Sequence, residues 1–323
     1  MQCETNLVTH HEIVSNGVRL NVLQVKAQLK VSPDAKESLN QTPTLVMLHG
    51  LRDSAWSLMP IAEGFSSSDV RVLLPELRGH GSSEHSEAYS INDYILDLHE
   101  VVTTLAEGPV MIFGHSLGGH IVSKFAALFP ELTQAIVLVE GLGPPKRPNE
   151  GDIGLQIQSL RFMLLNRLKK KDRPSRPLKN QREAETKLLH NNPRMQIQEA
   201  KRIASHLVKE INGELRWVFD SRANSVFVGV NLHTNTNFWR QIKAPVCVVS
   251  GRLSYEYWQK EMGYEDFDGH FANNELEERS CAFAFHEHHW LEHSGHMAHY
   301  DEPEELKQIC LQFLLDKADP KHS

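Results

Sequence analysis

One short stretch of this 323-residue chain decides its fold: Gly114-His115-Ser116-Leu117-Gly118-Gly119. An apolar run over 110–113 precedes the stretch, and an apolar segment over 120–129 that suits a helix follows it. Glycines on both sides of a serine allow a tight strand-to-helix turn, which holds the hydroxyl exposed. The amide of the next residue then lies at a helix N-terminus, where it can stabilise developing negative charge. The stretch therefore predicts a strand, a nucleophilic Ser116 and a helix, in that order.

Short continuous apolar runs predict the strands of a sheet that is covered on both faces. These runs cover 44–48, 70–74, 110–113, 135–139 and 245–249, and a further strand is expected over 284–291. Helix-length segments separate them, and 91–105 carries apolar residues at helical spacing. Near the start, two extended runs within 11–25 flank Asn16-Gly17, a dipeptide that favours a tight hairpin. The alternation predicts the α/β class: a mostly parallel central sheet flanked by helices.

The alternation of strands and helices breaks between about Leu142 and Ile242. We expect a core made of 1–142 and 242–323, with a helical cap, 143–241, inserted between two core strands. Within the cap, 169–182 is basic; a solvated loop is the favoured interpretation, and a contact with an anionic substrate or partner is the alternative. Apolar cap residues suggest an apolar substrate group, although packing onto the core explains them equally well: Leu155, Ile157, Leu160, Phe162, Met163, Leu164 and Leu165.

Composition excludes several classes of partner. The chain is 40% hydrophobic and 23% charged, and its net charge of −7 argues against nucleic acid or an anionic membrane as the main partner. No apolar run approaches the ~20 residues that a membrane span needs. The first residues lack the basic and apolar regions of an export signal. Four widely spaced cysteines (Cys3, Cys247, Cys281 and Cys310) indicate free thiols in a reducing compartment, so we expect a cytoplasmic protein.

A serine nucleophile needs a base, and the candidates are crowded near the C-terminus: His286, His288, His289, His293, His296 and His299. His296 is the preferred base because it lies on a turn after the last predicted strand, at the sheet edge where ligands bind in open α/β sheets. His299 is the alternative base. The cluster also invites a metal-site interpretation, but the cysteines lie elsewhere and the regular ligand spacing of zinc sites is missing. We therefore predict no metal.

The negative charge that forms on the substrate needs two hydrogen-bond donors. His49-Gly50 ends the strand over 44–48, so the amide of Leu51 could point into the same site as the amide of Leu117. Removing one such donor typically costs on the order of 2.7–4 kcal/mol of transition-state stabilisation. Leu51 and Leu117 are the predicted oxyanion donors.

These motifs together resemble the α/β-hydrolase fold superfamily. The resemblance rests on Leu48-His49-Gly50-Leu51, on the 77–83 loop Leu-Arg-Gly-His-Gly-Ser-Ser, on the 114–119 turn and on Gly295-His296 before the last helix. It covers 1–142 and 242–323 and leaves the cap unmatched. Within the superfamily the chain is most similar to serine hydrolase-like proteins, on the strength of Glu140-Gly141-Leu142-Gly143-Pro144, Arg216-Trp217 and Phe219-Asp220. The resemblance implies the mechanism more firmly than the substrate, because members include esterases, lipases, lactonases, thioesterases and carbon–carbon bond hydrolases.

The chain departs from the family pattern at the position of the acid that orients the base. The resemblance places that acid three residues after the glycine of Ser250-Gly251, where this chain has Ser254. Glu140 is preferred instead, because a carboxylate directly after the apolar run over 135–139 would otherwise be poorly solvated. The alternatives in the loop after Gly251 are Glu256, Asp266 and Asp268. Each choice keeps the chain order of serine, acid and histidine.

The sequence thus predicts a serine hydrolase that needs no cofactor and acts on carboxylic esters or related acyl compounds, with an apolar small molecule as the expected substrate. Ser116 attacks the carbonyl, His296 carries the proton, and Glu140 orients His296. An acyltransferase or a carbon–carbon bond hydrolase could use the same residues. A non-catalytic binding protein with the same fold is the alternative from another class, because Ser254 stands where the resemblance expects an acid.

Overall fold

The computed structural model describes residues 8–25, 42–146, 152–170, 176–227, 234–262 and 267–318. Within these ranges the strands are β1 Val8–Ser15, β2 Val18–Val25, β3 Thr44–Leu48, β4 Arg71–Pro75, β5 Val110–His115, β6 Thr133–Val139, β7 Val208–Ile211, β8 Glu214–Trp217, β9 Val246–Gly251 and β10 His286–Leu291. The α-helices are α1 Met59–Ala62, α2 Ile91–Leu105, α3 Leu117–Leu128, α4 Ile153–Lys170, α5 Gln181–Asn191, α6 Ile197–Leu207, α7 Asn235–Trp239, α8 Tyr255–Met262, α9 Glu275–Ser280, α10 Ala298–Asp301 and α11 Pro303–Ala318.

Eight strands form one sheet in the order β1-β2-β4-β3-β5-β6-β9-β10. The pairs from β4 to β10 are parallel, and β1 and β2 add an antiparallel edge. The predicted strands are all present, with ends that differ from the expected ones by at most three residues. The carboxyl ends of β3, β5, β6 and β9 meet at one edge of the sheet, and this edge positions the site described below.

The sheet separates two apolar layers. Side chains alternate between the faces of a strand, so Val46 and Leu48 of β3 pack with α2 and α3, whereas Leu45 and Met47 pack with α1 and α11. These strand residues are at most 1% exposed. Burying a large aliphatic side chain contributes about 1.5–3 kcal/mol. The two layers therefore fix the sheet as a rigid platform for its loops.

Local signals set the ends of several elements. Asn16 and Gly17 both adopt positive φ (46° and 78°), as the hairpin between β1 and β2 requires. Helix α2 begins with a capping box, in which the Ser90 hydroxyl accepts from the Asp93 amide and the Asp93 carboxylate accepts from the Ser90 amide. Such a cap contributes about 1 kcal/mol. The sequence predicts the hairpin correctly, whereas the capping box was not among the predictions.

The segment between β6 and β9 is largely helical, as predicted, but it also contains the hairpin β7-β8. This hairpin turns at Asn212-Gly213, whose φ values are 53° and 78°. The same dipeptide signal predicts the hairpin at Asn16-Gly17, and the sequence analysis overlooked it here. Helices α5 and α6 pack against one another and against Trp217 of the hairpin. The insertion therefore has its own small apolar clusters.

Helix α4 differs from expectation. Its apolar side chains were expected either to line the substrate site or to pack onto the core, and six of the seven are more than a third exposed: Leu155, Ile157, Leu160, Phe162, Leu164 and Leu165. Only Met163 is partly buried. Both interpretations of the six are wrong, because α4 is anchored along one narrow side and its other sides face outward. Even so, no helix in the described ranges combines the length and apolarity that crossing a bilayer requires.

Candidate active site

Ser116 occupies a strained turn between β5 and α3. Its φ and ψ are 52° and −112°, values that L-residues rarely adopt. Hydrogen bonds hold this backbone: the Ser116 amide donates to Val139 O at 3.0 Å, and its carbonyl accepts from the His120 amide at 3.2 Å. A Cβ on Gly118 would lie 2.4 Å from Leu48 O, so only glycine fits there. The turn therefore presents the serine hydroxyl at the carboxyl edge of the sheet.

His296 lies in the loop after β10 and faces Ser116. Its Nε2 is 2.9 Å from Ser116 Oγ, and its Nδ1 is 3.1 Å from Glu140 Oε2. Because the carboxylate accepts from Nδ1–H, the Nε2 lone pair is left to accept from the serine hydroxyl. The imidazole is only 3% exposed, so its orientation is well constrained. The three groups form one continuous chain of hydrogen bonds.

Glu140 follows β6 directly and has a φ of 52°. Its amide donates to Val249 O at 3.0 Å, and its Oε1 accepts from the Gly251 amide at 2.7 Å. The second oxygen is then free to face His296. This bridge between β6 and β9 explains why a carboxylate is stable at a position that is 8% exposed.

The other candidate acids lie elsewhere. Ser254 is buried, and within the described residues its hydroxyl has no hydrogen-bond partner. Glu256 binds the Arg194 guanidinium at 2.7 and 2.8 Å. Asp268 is exposed, and the hydrogen bond from the His270 amide lowers its pKa. Asp266 lies outside the described residues. Of the described candidates, only Glu140 meets His296.

The two predicted oxyanion donors flank the serine turn. Leu117 is the first residue of α3, where a helix leaves its amide without an intrahelical acceptor. Leu51 lines the same cavity as Ser116. The next residue, Arg52, has a φ of 65°, and its amide donates to His80 Nε2 at 3.0 Å. Burial lowers the pKa of His80 to about 3, so the ring stays a neutral acceptor that fixes this loop.

Further buried polar contacts hold the loops at this edge of the sheet. His49 donates from Nδ1 to Gly50 O at 2.8 Å and accepts at Nε2 from the Leu77 amide at 3.1 Å. Burial lowers the pKa of His49, which keeps this acceptor available. The Arg78 guanidinium makes two hydrogen bonds, 2.6 and 2.7 Å long, to the buried carboxylate of Asp97. The His49–Leu77 contact joins the loops after β3 and β4, and the Arg78–Asp97 pair fixes the second of these loops to α2.

A cavity of about 600 Å³ opens above Ser116. This volume lies within the usual range for small-molecule sites. The core and the insertion both contribute to its walls. Its apolar side chains include Leu188, Leu207, Trp217, Phe219 and Met297, and its charged ones include Arg52, Lys187, Arg194, Glu256, Lys260 and Glu261. The cavity therefore offers both apolar surface and charged groups to a ligand.

Helix α8 covers one face of the His296 ring with aromatic side chains. The Tyr257 ring stacks on the imidazole with centroids 3.9 Å apart and planes 11° apart, and Trp258 meets it edge-on at 5.1 Å. Burial raises the pKa of Tyr257 to about 12, so its hydroxyl stays neutral. This contact was not predicted from the sequence, because nothing in the local pattern shows which ring faces His296.

A second histidine–carboxylate pair lies beside the first. His299 Nε2 is 3.1 Å from Asp53 Oδ2, and the Tyr300 hydroxyl donates to Asp53 Oδ1 at 2.8 Å. His115 lies against this pair, with its ring centroid 4.5 Å from that of His299, and its Nε2–H donates to the His296 carbonyl at 2.8 Å. The alternative base His299 thus binds a different carboxylate and not Ser116.

The remaining histidines of the C-terminal cluster are separated from the serine. His286 contacts Phe283 O, His288 Nε2 lies 3.0 Å from Ser250 Oγ, and His289 lies 2.8 Å from Glu287. His293 is exposed. Among the described residues, two groups bring potential ligand atoms within 4.8 Å of one another: Asp53, His115 and His299, and Cys247, Glu287 and His289. The expectation that no metal takes part stays a prediction.

Comparison with known proteins identifies the family. A model described as "Alpha/beta hydrolase family" matches residues 45–309, and the chain therefore belongs to the alpha/beta hydrolase family. The predicted fold is confirmed. A solved structure titled "Thioesterase Domain From Curacin Biosynthetic Pathway" is similar, with a TM-score of 0.73 at 18% identity over 94% of this chain and 99% of that one.

Two curated relatives illustrate the range of similarity. A serine hydrolase-like protein of Danio rerio is 24% identical over 286 residues, which cover 84% of this chain and 81% of the relative. A 2-(acetamidomethylene)succinate hydrolase of Mesorhizobium japonicum is 30% identical over 99 residues, which cover 30% of this chain and 35% of the relative. The chain spans about a third of the length of the first curated relatives that it matches.

Proposed function

We propose that this protein is a serine hydrolase of carboxylic esters or related acyl compounds, with Ser116 as nucleophile, His296 as base and Glu140 as acid. One observation carries the proposal: the continuous hydrogen-bond chain from Ser116 Oγ through His296 to Glu140, at 2.9 and 3.1 Å, on the wall of a cavity of about 600 Å³. The family and its hydrolase-named relatives support it. No cofactor is needed for this chemistry.

The mechanism follows from the roles of the three groups. His296 takes the proton from Ser116 as the oxygen attacks the substrate carbonyl, and Glu140 stabilises the imidazolium that forms. The amides of Leu51 and Leu117 donate to the oxyanion. His296 then returns the proton to the leaving alcohol, which leaves an acyl-serine. Water, activated by the same histidine, hydrolyses this ester and restores the enzyme.

The shape of the cavity supports a small substrate held between two parts of the chain. The insertion, 143–241, would act as the cap over a core of 1–142 and 242–323, since both parts contribute cavity residues. Trp217 and Phe219 offer an apolar wall for the acyl or alcohol group, and Lys187 and Arg194 offer charge at the same opening. The substrate class is therefore a small ester that presents an apolar acyl or alcohol group to this wall.

The test is covalent labelling with a fluorophosphonate together with hydrolysis of p-nitrophenyl esters of increasing acyl length. The wild type should label and turn over, and Ser116→Ala should abolish labelling and lower kcat by about 10⁴–10⁶-fold. Ser254→Ala is the matched control, because this buried serine lies outside the hydrogen-bond chain and its loss should leave labelling intact. A folded wild type that neither labels nor hydrolyses any ester would contradict the proposal and favour a binding protein.

A further inference from the structure

A cysteine, a glutamate and a histidine meet where β9 pairs with the edge strand β10. They are Cys247 of β9 and Glu287 and His289 of β10. The parallel register places Cys247 beside Glu287, and His289 follows two residues later on the same face of β10. One potential ligand atom of each side chain lies within 4.8 Å of the other two, and Glu287 Oε1 is 2.8 Å from His289 Nε2. The three side chains form one compact set of sulfur, oxygen and nitrogen donors, the Cys–Glu–His group.

The Cys–Glu–His group is separate from the site described above. Along the chain the cysteines lie far from the C-terminal histidines, which is why the sequence favoured no metal. The pairing of β9 with β10 removes that separation, because it brings Cys247 close to His289. None of the three residues lines the cavity above Ser116, and none belongs to the hydrogen-bond chain of His296. The group therefore needs an explanation of its own.

We propose that Cys247, Glu287 and His289 bind a zinc ion, with water as the fourth ligand. Zinc binds thiolate, imidazole and carboxylate together, and tetrahedral bonds of about 2.0–2.3 Å place the ligand atoms about 3.3–3.6 Å apart. The Glu287–His289 pair would have to open by about half an ångström. The Glu287 side chain is 48% exposed, so it has room to move and an ion can reach the group from solvent. Calcium and magnesium fit less well, because they prefer oxygen ligands.

The balance of charge supports a divalent ion at this place. Burial raises the pKa of the Cys247 thiol well above its ordinary value, and the neighbouring Glu287 carboxylate raises it further. Zinc would displace the thiol proton, which passes to solvent, and bind the thiolate. One thiolate, one carboxylate and one neutral imidazole then balance the two positive charges of the ion. A site without net charge suits Cys247, which is 0% exposed.

The other group of potential ligands suits zinc less well. Asp53, His115 and His299 supply one carboxylate and two imidazoles, which would leave a net positive charge where each residue is at most 3% exposed. The Asp53 oxygens also accept hydrogen bonds already, from His299, Tyr300 and Ser57. We therefore assign the ion to the Cys–Glu–His group.

An ion at this position would join two strands that support the proposed active site. The end of β9 supplies the Gly251 amide that donates to Glu140, and the loop after β10 carries His296. Zinc should therefore stabilise the fold without entering the reaction, and the hydrolysis itself is still expected to need no metal. Metal binding needs no catalysis, so its test is independent of the proposed hydrolase activity.

The experiment titrates the full chain with Co²⁺ after dialysis against a chelator, and then with Zn²⁺ as competitor. Cobalt reports the ligand directly, because a cobalt–thiolate bond gives a charge-transfer band in the near ultraviolet. The wild type should show this band, saturating at one equivalent, and should release the thiol proton as the ion binds. Zinc should displace the cobalt, remove the band and raise the Tm by a few degrees. A site built from Asp53, His115 and His299 would give no such band, because it contains no sulfur.

Variants assign the ligands. Cys247→Ser should abolish the band and weaken zinc binding by at least about 100-fold, and His289→Gln should weaken it by at least about tenfold. Cys281→Ser is the matched control, because it removes a free thiol that is exposed, and it should bind cobalt within twofold of the wild type. His293→Gln, which changes an exposed histidine of the same C-terminal cluster, should also stay within twofold.

Circular dichroism checks that each variant is folded. Because Cys247 is buried, the double variant Glu287→Gln with His289→Gln provides a second test on side chains at the surface, and it should lose at least about 100-fold in zinc affinity. The proposal is overturned if the wild type gives no thiolate band at one equivalent, or if this double variant binds zinc as tightly as the wild type does. Loss of the band in Cys281→Ser would overturn it as well, because the sulfur ligand would then be a different cysteine.

Discussion

Two histidine–carboxylate pairs lie side by side at the carboxyl edge of the sheet, and the distance between ring nitrogen and carboxylate oxygen is the same in both. Glu140 lies 3.1 Å from His296, and Asp53 lies 3.1 Å from His299. They differ at the opposite ring nitrogen. His296 Nε2 faces Ser116 Oγ, whereas within the described residues His299 Nδ1 has no hydrogen-bond partner. A short histidine–carboxylate distance is therefore no evidence of catalysis. The evidence is a nucleophile within hydrogen-bond reach of the other ring nitrogen.

The Asp53–His299 pair joins two loops. Asp53 follows the loop that carries Leu51, and His299 and Tyr300 follow the loop that carries His296. Asp53 accepts from His299, Tyr300 and the Ser57 hydroxyl, the last at 2.9 Å. Burial alone would raise the pKa of Asp53, but the hydrogen bond and the electrostatic interaction with His299 hold it well below its usual value. We interpret this pair as a brace that keeps the two loops of the proposed site in register.

Neutralising each carboxylate in turn should separate the two pairs most strongly. Glu140→Gln should lower kcat by about 10³–10⁴-fold, because a neutral side chain neither fixes the tautomer of His296 nor stabilises its charged form. Ester hydrolysis at saturating substrate measures the effect. Glu256→Gln is the matched control at the cavity rim and should stay within a few-fold. A loss of less than tenfold in Glu140→Gln would assign the acid to another residue.

A carboxylate introduced at position 254 should partly replace the one lost from position 140. The family pattern places the acid at position 254, and the Ser254 side chain is buried close to the loop that ends β9. Adding Ser254→Asp to Glu140→Gln should restore part of the lost rate if the new carboxylate reaches His296. Recovery would show that the two positions are alternative supports for one base.

Asp53→Asn should change stability far more than chemistry. At neutral pH it should lower the free energy of unfolding by about 1.5–3 kcal/mol, the usual contribution of hydrogen bonds to a charged group. The folded-state pKa of Asp53 lies below its unfolded value, so this contribution is complete above about pH 4 and is lost as the pH falls further. Urea unfolding from neutral pH down to about 3 should therefore show the difference between variant and wild type shrinking.

The control for Asp53→Asn is Asp69→Asn, which changes an exposed aspartate and should shift the free energy of unfolding by less than about 0.5 kcal/mol. The variant at position 53 should retain kcat within about tenfold of the wild type. If Asp53→Asn instead lowered kcat as much as Glu140→Gln, the proposed difference between a catalytic pair and a bracing pair would be wrong.

Short sequence patterns predicted those parts of the fold that depend only on neighbouring residues. The serine turn, the strands and the first hairpin each follow from short patterns, and the Asn212-Gly213 hairpin would have followed from the same rule. Glu140 was selected because a carboxylate after an apolar strand needs partners, and the structure gives it the Gly251 amide and His296. That argument used only the neighbouring residues.

Contacts between distant segments could not be predicted in this way. The Asp53–His299 pair joins residues 246 positions apart, and its existence depends on how two loops pack. The exposure of α4 could not be predicted either, because a run of apolar residues looks the same in sequence whether it faces a core or a solvent-exposed surface. The stacking of Tyr257 on His296 depends on the placement of α8, which no local pattern sets.

Substitution of Tyr257 should have the smallest effect on kcat. Two variants distinguish the contribution of its ring from that of its hydroxyl. A π face over the imidazole favours the charged form that develops in the transition state, an effect of about 1 kcal/mol, or roughly fivefold in rate. Tyr257→Leu should therefore lower kcat about fivefold, and Tyr257→Phe should stay within twofold. Because Tyr257 also lines the cavity, kcat and KM are measured separately, and the rate of fluorophosphonate labelling, which needs no ester binding, checks the result. If Phe lost as much as Leu, the hydroxyl rather than the stacked ring would support His296.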